Sequence, residues 1–180
     1  SDLFGKRQFA RMGALFNNIA DESSQAAKAI DLMNASAEDL AKNTIAQLAG
    51  AEVQLIPSSA AEGFRLNPKQ LEAAITPASK LLVLNSPTTP TGMVLSRSEL
   101  EEIAAVLRRH PQVAVVCDEI YEFLLAPGHT HHNLAAVAPD LADRVFSVNG
   151  LAKGWAMTGW RIGWLAGNST VVKAAIALQS

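Results

Sequence analysis

The 180-residue chain is poor in the features that mark several large classes of protein. A single cysteine, Cys117, can form no disulfide within the chain and fits a reducing compartment. No apolar run approaches the roughly 20 residues that a membrane-spanning helix needs. Residues 1–13 lack the apolar core of a signal peptide. The net charge is only −2, with a pI near 6.1, so neither nucleic acid nor an acidic membrane is an expected partner. These absences predict a soluble, cytoplasmic protein.

The composition is that of a globular protein, with 49% hydrophobic and 18% charged residues, and the length fits one domain with a sizeable core. Residues 1–48 have a helical pattern. Apolar side chains recur at three- and four-residue spacing from Phe9 to Ile19, and the helical pattern resumes over residues 26–33. A further helix is expected to end at Gly50. We therefore expect the N-terminal segment to be helical.

From residue 51 onward, short apolar runs alternate with helical patterns. Strands are predicted at residues 51–56, 80–84, 113–117, 144–148 and 163–166. Helices are predicted at residues 68–75, 96–109 and 171–179, capped by Asn67, by the Ser96–Glu99 capping box and by Ser169. A long loop is expected over residues 126–139. Apolar strands separated by helices predict an α/β fold with a mainly parallel sheet covered by helices.

Three polar loops follow predicted strands at the same edge of this sheet. They comprise residues 85–92, 118–121 and 150–153. Ligands of parallel sheets collect at the carboxyl ends of the strands. The convergence of these loops therefore predicts a binding site at that edge.

Four side chains in or beside these loops are candidates for chemistry. Asp118 follows five apolar residues, so its carboxylate is expected to be buried and paired with a cation, either at a site or in a structural ion pair. Tyr121 is the only tyrosine, and a plain core aromatic is its alternative role. Lys153 lies among small residues that let a bulky group approach its amine, whereas a solvated surface lysine is the alternative. Arg161, eight residues later between two strands that look buried, would need a carboxylate or phosphate partner.

Two other groups of residues do not point to a site. His129, His131 and His132 lie in a loop with no acidic or cysteine ligand spaced beside them, so no metal site is expected. Cys117 alternates with Asp118 on its strand and has no histidine in a suitable context. We therefore do not expect it to act as a nucleophile.

The three loops together resemble class I/II aminotransferases, which are fold-type I enzymes dependent on pyridoxal 5′-phosphate. The resemblance rests on N-S-P-T-T-P-T-G at residues 85–92, D-E-I-Y at residues 118–121 and N-G-L-A-K-G-W-A-M-T-G-W-R-I-G at residues 149–163. Order and spacing match, and the K-x7-R-x-G stretch is specific. The resemblance covers roughly residues 45–180 and is closest to the aspartate aminotransferase-like branch. It implies that residues 44–180 are a partial pyridoxal-phosphate-binding large domain, and it leaves residues 1–43 as a helical segment of unplaced origin. It also implies an amino acid and a 2-oxo acid as substrates and a homodimer as the assembly.

The resemblance also implies a role for each candidate. Lys153 would form the aldimine (Schiff base) with the cofactor and then act as the base. Asp118 would pair with the pyridine nitrogen, Tyr121 would donate to the phenolic oxygen, and Arg161 would hold the phosphate. A β-lyase of the same fold and a truncated, non-catalytic module are the alternative functions.

Several features depart from the family pattern. Thr89 stands where the family usually has an asparagine that touches the phenolic oxygen, and Gly150 stands where a serine is often found. The family's early strand and phosphate-binding turn are not recognisable before residue 45. Its small domain, which supplies an arginine for the substrate carboxylate, would follow residue 180. The chain is therefore expected to correspond to the centre of an aminotransferase.

Overall fold

The computed structural model of the chain describes residues 28–31 and 50–179. Six strands form one sheet in these residues: β1 (Lys28–Asp31), β2 (Glu52–Leu55), β3 (Ser79–Asn85), β4 (Ala114–Asp118), β5 (Val145–Gly150) and β6 (Gly163–Ala166). Their order in the sheet is β2-β1-β3-β4-β5-β6. All neighbours are parallel except β5 and β6, which are antiparallel. The predicted mainly parallel sheet is thereby confirmed.

Helices lie on both faces of this sheet. They are α1 (Pro68–Ala74), α2 (Arg97–Arg109), α3 (Leu134–Val137) and α4 (Ser169–Gln179), with 3-10 turns at Ala60–Glu62, Pro139–Arg144 and Thr158–Trp160. The larger core packs α1 and α2 against one face, and includes the fully buried Leu71, Leu82 and Leu107. A smaller cluster on the other face is built on Leu81, Ala114 and Phe146, with Val171 of α4 packed against it. Neighbouring residues of β3, Leu81 and Leu82, point to opposite clusters, as the two-residue period of a strand requires.

The predicted helix starts of α1 and α2 are confirmed by their caps. The Asn67 side chain accepts a hydrogen bond from the backbone N–H of Lys69, and Pro68 occupies the first turn. Ser96 and Glu99 form the expected capping box at the start of α2. At the other end of α2, the Arg144 guanidinium donates to the carbonyls of Leu107, His110 and Val113. Because Leu107 lies in the last turn of α2 and Arg144 directly precedes β5, these bonds fix the end of α2 to the start of β5.

The N-terminal helical prediction is wrong where the structure describes it. Residues 28–31 lie within the helix predicted over residues 26–33, yet they form β1, paired on one side with β2 and on the other with β3. Backbone partners on both sides outweigh the weak helical preference of four residues. The remaining helices predicted before residue 50 lie outside the described residues. The predicted boundary between residues 43 and 44 stays a prediction, and β1 joins the sheet from the N-terminal side of it.

Two smaller predictions also need correction. The loop predicted over residues 126–139 contains α3, which begins because the Asn133 side chain accepts from the N–H of Ala136 and because Leu134 is buried. The final helix already begins at Ser169, so Ser169 is not its cap. The Asn168 side chain instead accepts from the N–H of Thr170. In both places the side chain one residue before the helix accepts a hydrogen bond from a backbone N–H of the first turn, which has no acceptor within the helix.

Strand β6 is more exposed than the apolar sequence pattern predicted. Trp164 is 45% exposed, and Ile162, just before the strand, is also 45% exposed. Within the described residues β6 pairs only with β5, so it is an edge strand of the sheet. None of the described helices is long and apolar enough to cross a membrane.

Gly150 and Gly163 form the last cross-strand pair of β5 and β6. A Cβ atom at Gly150 would lie 2.7 Å from the carbonyl oxygen of Ile162 and 3.1 Å from the Cα of Gly163. Both neighbours are backbone atoms, which cannot turn away as a side chain can. The glycine at this position therefore allows the two strands to approach closely.

We expect Gly150→Ala to separate β5 from β6 and to lower the free energy of unfolding by about 1–3 kcal/mol. Urea titration followed by far-UV circular dichroism measures this loss. Gly159→Ala in the same loop is the matched control, because a Cβ at Gly159 has no atom within 4 Å. Equal stability of the two variants would contradict the close approach of the strands.

Candidate functional site

The carboxyl ends of β3, β4 and β5 are joined at one edge of the sheet. Asn85 is opposite Asp118 across the β3–β4 pair, and Asp118 is opposite Val148 across the β4–β5 pair. The carbonyl oxygen of Asp118 accepts from the Asn85 side-chain amide at 3.0 Å and from the N–H of Ser86 at 3.2 Å. The N–H of Glu119 donates to the Val148 carbonyl at 2.9 Å. These bonds fix the position of Asp118 on both sides.

The side chain of Asp118 is partly buried at this edge. Its Oδ1 accepts from the N–H of Ile120 at 3.3 Å, which starts the turn that follows β4. The turn continues with hydrogen bonds from Glu122 to the Glu119 carbonyl and from Leu124 to the Tyr121 carbonyl. It carries Tyr121 away from the strand while Asp118 stays at the strand end.

Tyr121 and Lys153 come together from different strands. The Nζ of Lys153 lies 5.3 Å from the centroid of the Tyr121 ring, a distance at which a cation interacts with the face of an aromatic ring. Lys153 lies in a compact loop after β5, in which the N–H of Ala156 donates to its carbonyl and the N–H of Met157 donates to the Leu151 carbonyl. Both side chains are partly buried. The amine and the phenol ring thus lie close together at this edge of the sheet.

Arg161 lies at the far end of the same loop. Its φ of 54° is left-handed, which is uncommon for a residue with a side chain. The guanidinium is exposed, and its Nη1 donates to the Thr158 carbonyl at a long 3.4 Å. The expected position between two buried strands is therefore wrong, because β6 is an exposed edge strand. An exposed cation beside the Lys153 loop remains accessible to an anion.

The two remaining candidates, Thr89 and Gly150, lie in segments that neighbour these side chains. Thr89 is partly buried in the 85–92 loop, which folds back on itself through hydrogen bonds from Thr88 to the Met93 carbonyl and from Gly92 to the Thr88 carbonyl. Gly150 is buried at the end of β5. A serine at Gly150 would meet the same backbone atoms as alanine, so this chain has no room for the residue that the family often has there.

A polar network beneath the site was not anticipated from the sequence. The buried carboxylate of Glu119 contacts the Asn133 amide and the His131 imidazole, and Asn133 also contacts Ser147 on β5. The sequence analysis found no acidic residue near these histidines because Glu119 precedes His131 by 12 residues. A separate hydrogen bond joins the buried Asn149 to Glu122 at 2.7 Å. The one signal in the sequence for this network is Glu119 itself, an acidic residue that directly follows Asp118 at the end of β4.

Neither the histidines nor the cysteine form a further centre. Among the residues that the structure describes, no three His, Cys, Asp or Glu side chains are grouped so that they could hold a metal ion. Burial raises the pKa of the Cys117 thiol, and the nearby carboxylates of Glu119 and Asp118 raise it further. The thiol is therefore protonated and a poor nucleophile at neutral pH.

Two curated proteins are similar to this chain in sequence. The chain is 50% identical over 117 residues to a protein of Rickettsia bellii named as a probable aspartate/prephenate aminotransferase, and these residues are 65% of this chain and 29% of that protein. It is 44% identical over 136 residues to a bifunctional aspartate aminotransferase and glutamate/aspartate-prephenate aminotransferase of Petunia hybrida, covering 76% of this chain and 28% of that protein. The chain therefore spans less than a third of these two curated relatives.

A solved structure shares both the fold and part of the sequence. The aspartate aminotransferase from Rhizobium meliloti superposes with a TM-score of 0.82 at 33% identity, over 94% of this chain and 42% of that protein. The sequence model of the family described as aminotransferase class I and II matches residues 41–180. That match includes the three polar loops and every candidate side chain. The chain belongs to the class I and II aminotransferase family.

Proposed function

We propose that this chain forms the pyridoxal 5′-phosphate site of an aminotransferase, which moves an amino group between an amino acid and a 2-oxo acid. The observation that carries the proposal is the 5.3 Å approach of the Lys153 amine to the Tyr121 ring. Asp118 lies at the end of the strand from which the Tyr121 turn starts. Four types of group that this cofactor needs, an amine, a phenol, a carboxylate and a guanidinium, therefore occur in the loops at one edge of the sheet.

The residues present fit the cofactor by their chemistry. When bound, pyridoxal 5′-phosphate supplies an aldehyde and a pyridine ring that withdraws electrons from the substrate. Lys153 would capture the aldehyde with its amine and then carry a proton during the reaction. The Asp118 carboxylate would favour the protonated ring nitrogen, and the Tyr121 hydroxyl would donate to the phenolic oxygen. The exposed Arg161 guanidinium would hold the phosphate, since a forked donor suits that anion.

Thr89 and Gly150 shape the remaining parts of the proposed site. A threonine hydroxyl at residue 89 offers a shorter polar reach than the asparagine usual in the family, so we expect it to contribute less to holding the phenolic oxygen. Gly150 keeps β5 and β6 close together ahead of Lys153. Their proposed roles are to line the site and to set its width, whereas the chemistry is assigned to Lys153, Asp118 and Tyr121.

Two other functions use the same site differently. A β-lyase of this fold would eliminate a group from the substrate and would not transfer its amine. A non-catalytic module would bind the cofactor without turnover. The two curated relatives described above match 65% and 76% of this chain. Transfer is the preferred proposal because those relatives are named as aminotransferases.

Assembly and location belong to the same proposal. We expect a cytoplasmic homodimer, as the family resemblance implies. Large apolar side chains are exposed beside the Lys153 loop, and they include Trp155, Trp160 and Trp164, which are 55%, 69% and 45% exposed. Exposed aromatic groups of this size are typical of protein interfaces.

The first prediction concerns covalent attachment of the cofactor. Incubation with pyridoxal 5′-phosphate followed by borohydride should fix a label on Lys153, because that amine is the one placed beside Tyr121. Peptide mass mapping identifies the labelled residue. Lys153→Ala should lose this label, while Lys173→Ala, which removes an exposed lysine on α4, should keep it. A label that persists in Lys153→Ala would contradict the assignment of Lys153 as the lysine that attaches the cofactor.

The second prediction separates cofactor binding from chemistry. Asp118→Asn keeps the shape of the side chain but removes its charge. We expect it to slow the amine transfer from an amino acid to the bound cofactor by about a hundredfold or more, since electrostatic groups of a preorganised site have effects of that size. Cofactor uptake should fall much less. Stopped-flow absorbance measures the first quantity and fluorescence titration the second, and equal losses in both would argue against the proposed role.

The third prediction concerns assembly. Trp160→Lys should weaken self-association at least tenfold, because a central tryptophan of an interface contributes about 2 kcal/mol or more. Light scattering over a range of protein concentrations measures the dissociation constant. Leu55→Lys is the control, since Leu55 is also exposed but lies on β2 at the opposite edge of the sheet. A wild-type chain that stays monomeric at every concentration would refute the homodimer.

A further inference from the structure

The carboxylate of Glu119 is buried directly behind the proposed site. Glu119 follows Asp118 in the chain and is only 6% exposed. The Asn133 amide donates to both of its oxygens, at 2.9 Å and 3.0 Å. The His131 Nε2 lies 3.2 Å from Oε1. Removing a carboxylate from water is costly, and hydrogen bonds from several N–H groups offset much of this cost. The contacts with Asn133 and His131 therefore allow Glu119 to be buried.

The hydrogen-bond pattern also fixes the tautomer of His131. Its Nδ1 is buried and has no hydrogen-bond partner among the described residues. An N–H group at that position would be a buried donor without an acceptor, which is costly, whereas a bare ring nitrogen loses less. We therefore assign the proton to Nε2, from which it is donated to Glu119. In this tautomer the His131 Nε2 is the donor and the Glu119 Oε1 is the acceptor.

The network reaches the strand that leads to Lys153. The Asn133 amide lies 2.8 Å from the Ser147 hydroxyl, and Ser147 is on β5. The backbone N–H of Glu119 donates to the carbonyl of Val148, the next residue of β5. Asn133 is itself fixed, because its side-chain oxygen caps α3. Glu119 is thus linked to the start of α3 by its carboxylate, and to the middle of β5 by its backbone N–H and through Asn133.

We infer that Glu119 is a positioning residue, which together with His131 and Asn133 fixes the turn that carries Asp118 and Tyr121 relative to β5, and thereby relative to Lys153. Its meaning for catalysis rests on the proposed function. The fixing of the turn is a property of the chain alone and can be measured without cofactor.

The reason for a charged group here is geometry and not stability. A buried ionic network is often no more stable than well-packed apolar side chains of the same size, because the charge must be removed from water. The Asn133 nitrogen and the His131 imidazole, however, make directional contacts that orient the carboxylate, and an aliphatic side chain would make no such contacts. The turn after β4 also contacts the segments around Lys153, since the Phe123 ring lies 5.6 Å from the Trp155 ring and Glu122 accepts from the Asn149 amide at 2.7 Å. Through Asn133, the polar contacts of Glu119 add links to α3 and to the middle of β5 that these two contacts do not make.

The experiment is amide hydrogen exchange on the full 180-residue chain without cofactor. In Glu119→Gln the new amide faces the Asn133 amide, so at least one buried N–H loses its acceptor. We expect exchange in a peptide spanning residues 118–124 to become about tenfold faster, with exchange in α2 unchanged. His129→Gln is the matched control, because His129 is in the same loop but exposed. His131→Gln is a milder second variant that answers the question if Glu119→Gln does not fold.

A rescue variant separates position from general stability. In Glu119→Gln/Asn133→Asp the donor and acceptor exchange places, because the glutamine amide can donate to the new carboxylate. The inference predicts that this double variant restores slow exchange in residues 118–124. Unchanged exchange in both single variants, or faster exchange spread uniformly over α2 and the sheet, would overturn it.

A spectroscopic readout then tests the effect on the site. With pyridoxal 5′-phosphate bound, Glu119→Gln should move the pH at which the cofactor absorption band shifts, because the groups around the ring have moved, and the double variant should return it towards the wild-type value. An unmoved band despite faster exchange would overturn the link to catalysis. If the wild-type chain takes up no cofactor, the proposed function fails, whereas the exchange measurement still decides whether Glu119 fixes the turn.

Discussion

The backbone pairing of β3, β4 and β5 is the constraint on which the proposed site depends. Parallel strands bring their carboxyl ends to one edge, and the register sets Asn85, Asp118 and Val148 in one row across three strands. Polar groups at this edge then close the row, since the carbonyl of Asp118 accepts two hydrogen bonds from the end of β3. A shift of one residue in either pairing would move Asp118 to the other face of the sheet. The site is therefore a consequence of strand register before it is a consequence of any side chain.

Much of this arrangement could be predicted from the sequence, because it depends on local patterns. Apolar runs located the strands from residue 51 onward, and the polar residues directly after them located the edge. The approach of Lys153 to Tyr121 follows from the same rule, although the residues are far apart in the chain. The family resemblance added the roles, which no local pattern contains. These inferences share one requirement, namely that the residue follow a recognisable strand.

The features that the sequence did not reveal depend on contacts between distant segments. β1 is a strand because it has partners on both sides, and its four residues contain too little pattern to show this. The contact of Glu119 with Asn133 spans 14 residues and a loop without regular spacing. The exposure of β6 depends on its place at the edge of the sheet, whereas its apolar composition suggested a buried strand. Composition reports the hydrophobicity of a segment, but its position in the sheet decides whether that surface meets the core.

Close approach and exposure occur together in the loop that carries Lys153. At its start Gly150 permits β6 to lie against β5, and towards its end Arg161 adopts a left-handed conformation with its side chain in solvent. A larger residue at Gly150 would increase the distance between β5 and β6. The ends of the loop between these strands would then no longer be held together. Glu119 fixes the opposite side of the site through β5 as well, since Asn133 and Val148 both link it to that strand. Strand β5 is thus the common reference for the amine on one side and for the carboxylate and phenol on the other, and this explains how the loop can hold Lys153, the proposed reactive lysine, in a fixed place.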